Sequence, residues 1–148
     1  MRLGRVVPAP VAEGEEILRN QDLADGLKGW NPGVFEPARA TAELTEEAPP
    51  ELLGQRVVKV AVTKPSETTW HVQFSQPGFG IQAGVSYVWT AWARASAPCS
   101  IIASIEKNHP PYGGAGLFER VKLTPEWQRI RIGFTPRESD DNGRFAFQ

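Results

Sequence analysis

Short segments with apolar residues at every second position recur along this chain, separated by clusters of glycine, proline and asparagine. Alternation with a period of two residues puts the apolar side chains on one face of a β-strand. Helical periodicity is rare, so the pattern predicts an all-β fold, an antiparallel β-sandwich of the jelly-roll type. The apolar residues of the seven segments are Val58, Val60 and Val62; Val72 and Phe74; Tyr87, Trp89, Ala91 and Ala93; Ile101, Ala103 and Ile105; Leu117, Val121 and Leu123; Ile130, Ile132 and Phe134; and Phe145 and Phe147.

The chain has 148 residues, which suits one domain. Residues 1–16 combine prolines, two glycines and three glutamates without an apolar period, so we expect a flexible leader or linker there. The β-sandwich domain is expected over residues 17–148. Residues 17–20 are expected to form a short edge strand. Residues 34–46 fit a strand or a short helix, and Pro37 favours the strand.

Charge and hydropathy exclude several kinds of partner. The 16 basic and 17 acidic residues nearly balance, and no cluster of Lys and Arg marks a nucleic-acid or anionic membrane surface. No stretch approaches the ~20 apolar residues of a membrane span. The N-terminus also lacks the ~7 to 15 apolar residues of a signal peptide. The sequence leaves open whether the protein is intracellular or has lost its signal, and we expect a monomer.

The outward side of the predicted strands is unusually polar. If these strands neighbour one another, they form a polar surface that contains an indole. Sugars need that mixture, because their C–H faces stack on aromatic rings and their hydroxyls pair with amide, carboxylate and guanidinium groups. The outward residues are His71, Gln73 and Ser75; Thr90, Trp92 and Arg94; Ser104 and Glu106; and Ala146 and Gln148.

Individual aromatic residues have two readings each. Alternation would bury Trp70, whereas the turn before it would leave Trp70 at a rim. Trp92 faces outward by alternation unless a loop covers it. Tyr112 stands alone in a Pro/Gly-rich loop, which favours ligand contact. His109, in the same loop, is either a hydrogen-bonding residue or a solvated one. Structural roles are expected for Trp30 and Trp127.

Neither catalysis nor metal binding finds support in the motifs. Glycoside hydrolysis usually takes two carboxylates across a cleft, and Glu106 is the one acid that alternation places on the polar surface. A metal site on His109 would have His71 as the only other histidine. The acidic cluster at residues 139–142 lacks the spacing of a calcium loop. We therefore expect a non-enzymatic protein with no bound metal.

Five ordered segments resemble the carbohydrate-binding modules of the family 4/9 type, which are appended to xylanases and endoglucanases. The first, LRNQDLADGLKGW at residues 18–30, is similar to the family's opening N-G-D-F-E-D-G-L-x-G-W. The others are WHVQFSQ at 70–76, AGVSYVWTAWARA at 83–95, LTPEWQ at 123–128 with Phe134-Thr135, and DDNGRF at 140–145.

The resemblance implies a jelly roll that binds a single β-1,4-glucan or xylan chain in a cleft and targets an attached glycoside hydrolase. It also implies a secreted protein. Gln21 and Ala24 replace the family's usual glycine and glutamate, which puts a structural calcium in doubt, so no cofactor is expected. The family continues with a final strand that this chain lacks after Gln148. The alternative is a structural domain that packs against a catalytic domain and binds no sugar.

Together, the polar surface and the resemblance predict ten carbohydrate-binding residues. Trp70, Gln73 and Tyr112 are the central three. The remaining seven are Gln76, Arg94, Asn108, His109, Trp92, Glu106 and Gln148.

Overall fold

The computed structural model describes residues 2–6, of which the backbone alone is considered, and residues 16–148. Within these ranges the regular structure consists of strands and two short 3₁₀ turns at Pro50–Leu52 and Thr69–His71. None of the helical turns in the described part of the chain has the length and hydrophobicity of a membrane span. The strands are β1 (Arg2–Val6), β2 (Asn31–Val34), β3 (Arg39–Thr45), β4 (Val57–Lys64), β5 (Val72–Ile81), β6 (Ser86–Ala93), β7 (Cys99–Lys107), β8 (Gly114–Leu123), β9 (Gln128–Phe134) and β10 (Asp140–Phe147).

The strands form an antiparallel β-sandwich, so the predicted fold class is confirmed. One layer is a five-stranded sheet in the order β2-β5-β10-β7-β8. A three-stranded sheet, β1-β6-β9, and the β3-β4 hairpin form the remaining sheets. The last strand, β10, lies between β5 and β7, so residues distant in sequence share the central part of the large sheet.

The core is built from the apolar side of the alternating segments. Trp89 and Phe145 are fully buried and stack with their ring centroids 5.4 Å apart, which joins the two layers. A second stacked pair, Trp30 and Phe74, lies at 4.8 Å. Aromatic pairs of this kind add about 0.5–1.5 kcal/mol beyond the area they bury. Trp30 is thus structural, as predicted.

Three local predictions need comment. Residues 39–45 of the uncertain 34–46 segment are a strand, as expected. The edge strand predicted over residues 17–20 is wrong, because that segment forms bends. The Gln76 side chain forms the backbone hydrogen bonds that a partner strand would otherwise form with this segment. It accepts a hydrogen bond from the Arg19 backbone N–H at 2.7 Å and donates one to the Arg19 carbonyl at 2.9 Å.

The predicted leader also differs from the structure at its start. Residues 2–6 form β1, which pairs with β6 from Arg2↔Thr90 to Val6↔Ser86. Residues 2–6 carry no alternating signal, because pairing along a sheet edge requires only the backbone groups. Residues 7–15 lie outside the described residues.

An apolar groove of about 630 Å³ opens between β4 and the end of β6. The valines of β4 that line it are Val57, Val58, Val60 and Val62, and the last two are 42% and 49% exposed. Trp92 of β6 also lines the groove. The alternating apolar side of β4 therefore faces the interior of the sandwich as predicted, but it is only partly covered by the described residues.

Candidate functional site

Small side chains form one row across the outer face of the five-stranded sheet. Ser75 lies opposite Ala146, and Ala146 lies opposite Ser104. The row ends at Asn31 on β2 and at Phe118 on β8. Because neighbouring strands are about 4.8 Å apart, the row of five positions spans about 19 Å. Such a row is long enough to accommodate several units of a linear ligand.

A hydrogen-bonded cluster lies over the middle of this row. We call it the polar platform, and it consists of Ser104, Glu106, Arg144 and Gln148. The Glu106 carboxylate accepts hydrogen bonds from Arg144 Nη2 at 2.6 Å, Gln148 Nε2 at 2.7 Å and Ser104 Oγ at 3.0 Å. The Arg144 and Glu106 side chains are only 22% and 16% exposed. Charge-assisted bonds of this kind fix the orientation of the carboxylate and the guanidinium.

The platform continues towards the start of β5. Thr69 Oγ1 donates to Gln148 Oε1 at 3.2 Å, and Gln73 Nε2 donates to the Trp70 carbonyl at 3.1 Å. Gln73 Oε1 and Arg144 Nε are buried and have no hydrogen-bond partner among the described residues. Such atoms are rare in folded proteins. One is an acceptor and the other a donor, and neighbouring atoms cover both, so neither is presented to a ligand at the surface.

Two exposed aromatic side chains, Trp70 and Phe118, border the platform, and a third, Tyr112, lies in the loop that follows the Glu106 strand. Trp70 lies in the 3₁₀ turn just before β5 and is 49% exposed, with the Phe35 ring edge-on at 5.6 Å. Phe118, on β8, is 66% exposed. Tyr112, in the loop between β7 and β8, is 59% exposed. Large apolar rings at the borders of a polar surface indicate a binding site.

The structure brings together about half of the predicted site residues. Trp70, Gln73, Glu106 and Gln148 lie on or beside the platform, and Tyr112 lies in the loop that follows the Glu106 strand. Gln76 does not face this surface. It is 1% exposed and its amide is engaged by the Arg19 backbone, so we leave it out of the contact set.

Trp92 and Arg94 lie on or just after β6, and they line the groove between β4 and β6 that Gln73 and Gln148 also border. The expectation that their strand adjoins the polar strands is wrong, because β6 pairs with β1 and β9 in the other layer. Arg94 lies 5.1 Å from the centre of the Trp127 ring and forms an ion pair with Glu47 at 3.2 Å. Trp127 thus has a structural contact.

Asn108 and His109 belong to the Tyr112 loop. The Asn108 backbone N–H donates to the Asn142 carbonyl at 2.9 Å, which fixes the loop against β10. The His109 ring contacts Asp140 and the Pro110 carbonyl rather than the platform. His109 is therefore placed to support the loop instead of contacting a ligand over the sheet.

Two residues of the site were not predicted. Phe118 faces outward because Leu117, on the neighbouring position, faces the core. The same alternation gives Arg144 an outward direction beside Phe145. Both signals were present in the sequence: an aromatic residue and an arginine on the solvent side of strands whose apolar sides had been identified.

No group of three or more His, Cys, Asp or Glu side chains suited to a metal ion occurs within residues 2–6 and 16–148. The platform presents hydrogen-bonding groups beside exposed aromatic rings. Such a surface can orient hydroxyl groups and stack the apolar faces of rings.

Comparison with known families gives a match over nearly the whole chain. The family profile described as "Carbohydrate binding domain" (CBM 4/9) matches residues 15–148. A comparison with curated proteins gave no match.

Solved structures share the fold. One described as "CBM4 structure and function" has a TM-score of 0.66 and 24% identity, over 85% of this chain and 79% of that one. The N-terminal cellulose-binding domain from Cellulomonas fimi β-1,4-glucanase C has a TM-score of 0.52 and 22% identity, over 83% and 77%. The arabinose-bound MgGH51 α-L-arabinofuranosidase has a TM-score of 0.63 and 16% identity. That match covers 88% of this chain and only 23% of the arabinofuranosidase.

Proposed function

Because this chain belongs to the carbohydrate binding domain family, we propose that it holds a β-linked polysaccharide chain along the outer face of its five-stranded sheet. The proposed ligands are β-1,4-glucan and xylan. The proposed contacts are Trp70, Phe118 and Tyr112 for stacking, and Gln73 with the polar platform for hydrogen bonding.

One observation carries this proposal: a fixed, partly buried polar platform lies between exposed aromatic rings. The Glu106 carboxylate is held by three donors before any ligand arrives. A preorganised surface loses little conformational entropy on binding.

We propose binding without catalysis. Hydrolysis of a glycosidic bond usually needs an acid and a second carboxylate across the bond. Glu106 is hydrogen-bonded to Arg144, and among the residues that the structure describes no other carboxylate bonds to the platform. Glu106 then orients hydroxyl groups and transfers no proton.

We propose that the domain serves a linked glycoside hydrolase in a secreted protein. Tethering an enzyme to its polysaccharide raises the effective concentration of the substrate without a new catalytic contact. The structural likeness to part of an arabinofuranosidase chain is consistent with this arrangement.

The groove between β4 and β6 is lined by valines and also by Gln73, Gln148, Trp92 and Trp127. We propose the outer face of the five-stranded sheet rather than this groove as the binding surface, because the hydrogen-bonded platform lies on that face.

Titration calorimetry with cellohexaose, xylohexaose and laminarihexaose tests the binding function. We expect heat of binding for at least one of the first two, and a weaker affinity for Gln73→Ala. Gln82→Ala is a matched control, because Gln82 is exposed in the turn after β5, at the opposite end of that strand from Gln73. Absence of binding to all three sugars, with a folded protein, would favour the alternative of a structural domain that packs against a catalytic neighbour.

A further inference from the structure

Both ring nitrogens of His109 lie within hydrogen-bonding distance of acceptors. Nε2 is 2.9 Å from Asp140 Oδ2, and Nδ1 is 3.0 Å from the Pro110 carbonyl oxygen. Neither a carboxylate nor a carbonyl has a hydrogen to donate. A neutral imidazole carries one N–H and satisfies one of the two contacts, whereas the imidazolium satisfies both. The geometry is that of a protonated ring.

The two contacts connect the Tyr112 loop to the start of β10. Asp140 is itself fixed, because its Oδ1 accepts a hydrogen bond from the Asn142 backbone N–H at 2.9 Å. On the other side, the Tyr112 backbone N–H donates to the His109 carbonyl at 2.8 Å. We call the contacts of the His109 ring with Asp140 and Pro110 the His109 latch. The latch thus lies one hydrogen bond away from the Tyr112 backbone.

Tyr112 needs such support. Its φ angle is +56°, in the left-handed region that residues other than glycine rarely occupy. A side chain is held in that region only when the surrounding structure imposes it. Loss of one latch contact would let the loop relax and would change the direction of the Tyr112 ring relative to the platform.

Charged groups around His109 favour its protonated form. The hydrogen bond with Asp140, followed by that with the Pro110 carbonyl, raises the pKa of His109 above its ordinary value of 6.5. Lys107 opposes this shift, and its Nζ lies 3.1 Å from Glu138 Oε2. The Asn142 N–H and then His109 lower the pKa of Asp140. His109 and Asp140 line a cavity whose other ionisable groups are Glu16, Tyr87 and Asp141.

We propose that His109, as an imidazolium, is a positioning residue that holds Tyr112 in its binding orientation and makes ligand affinity depend on pH. This inference rests on the proposed function, in which Tyr112 stacks on the sugar. Because the protonated form makes both contacts, the latch is complete below the ordinary pKa. The latch is lost as the pH rises through the raised pKa that His109 has in the folded protein.

The protonation state is tested first, without any ligand. Ring ¹⁵N chemical shifts of the whole chain are followed by NMR from about pH 5 to 9, and the His109→Asn variant identifies the His109 signals. We expect both nitrogens to be protonated at the acidic end, with a midpoint above 6.5. A midpoint at or below that value, or a neutral tautomer throughout, would overturn the latch.

Affinity for cellohexaose over the same pH range tests the link to binding. We expect the affinity of the wild type to fall by about two- to tenfold as the pH rises, because one aromatic contact contributes about that factor. His109→Asn and Asp140→Asn are expected to lack this step, whereas Asp141→Asn keeps it. An unchanged step in His109→Asn would refute the positioning role. If no oligosaccharide binds, the proposed function fails, while the ¹⁵N shifts still decide whether the latch exists.

Discussion

Replacing Trp70 with alanine removes the largest ring beside the polar platform. Trp70 is 49% exposed, and a tryptophan side chain offers roughly 150–250 Å², so about 75–125 Å² remains for a ligand. A sugar covers one face of the ring, about half of that area. At about 25 cal/mol per Å², Trp70→Ala is expected to cost about 1–1.5 kcal/mol of binding free energy. That is roughly a 5- to 12-fold weaker Kd.

Titration calorimetry with cellohexaose and xylohexaose measures this loss, on protein whose Tm has been checked. Leu53→Ala is the control, because Leu53 is 90% exposed and lies in the loop after the first 3₁₀ turn, away from the platform. Its affinity is expected to equal that of the wild type. A change of less than about twofold in Trp70→Ala, which is smaller than one aromatic contact provides, would refute stacking on this ring.

Three further variants test the fold and the platform. Phe145→Ala removes a fully buried ring that stacks on Trp89. Urea denaturation is expected to show that the free energy of unfolding falls by about 3–5 kcal/mol. A fall below about 1 kcal/mol, which is typical of a substitution at any site, would contradict this description of the core. Phe118→Ala is expected to weaken glycan binding in affinity gels while Tm stays within a few degrees; unchanged migration would remove Phe118 from the site. Arg144→Lys keeps the positive charge but replaces the planar guanidinium, so calorimetry is expected to show weaker binding. An affinity equal to that of the wild type would contradict the role of the platform.

The alternation of apolar residues in the sequence predicted much of the fold. The apolar positions of the seven segments identified the strands and which side of each faces the core, as Trp89 and Phe145 illustrate. The resemblance of five segments to the family 4/9 modules is also confirmed by the family match. Both results follow from signals that lie within short stretches of sequence.

Sheet membership was the main thing that alternation did not reveal. Trp92 has the polar-side parity that was predicted, yet β6 pairs with β1 and β9, so its ring lies in a different layer from Gln73. Parity gives the side of a strand, and only long-range pairing gives its neighbours. Gln76 illustrates the reverse case, because its inward parity was visible in the sequence while its amide pairing with the distant Arg19 backbone was not.

The platform itself depends on register. Glu106 lies opposite Arg144, and Gln148 reaches Glu106 across two neighbouring strands. These contacts join residues about 40 positions apart in sequence, and a slip of one residue would turn one partner to the core. The individual polar residues were therefore predictable, whereas the cluster that they form was not.

Mapping the ligand on the protein by NMR tests the central claim most directly. Amide chemical shifts are recorded during titration with cellohexaose and, separately, with xylohexaose. The account predicts shifts concentrated at Gln73, Ser104, Glu106 and Phe118, on the outer face of the five-stranded sheet, with small changes at Val60 and Trp92. Shifts confined to the groove that Val60 and Trp92 line, or no shifts with either sugar, would contradict it.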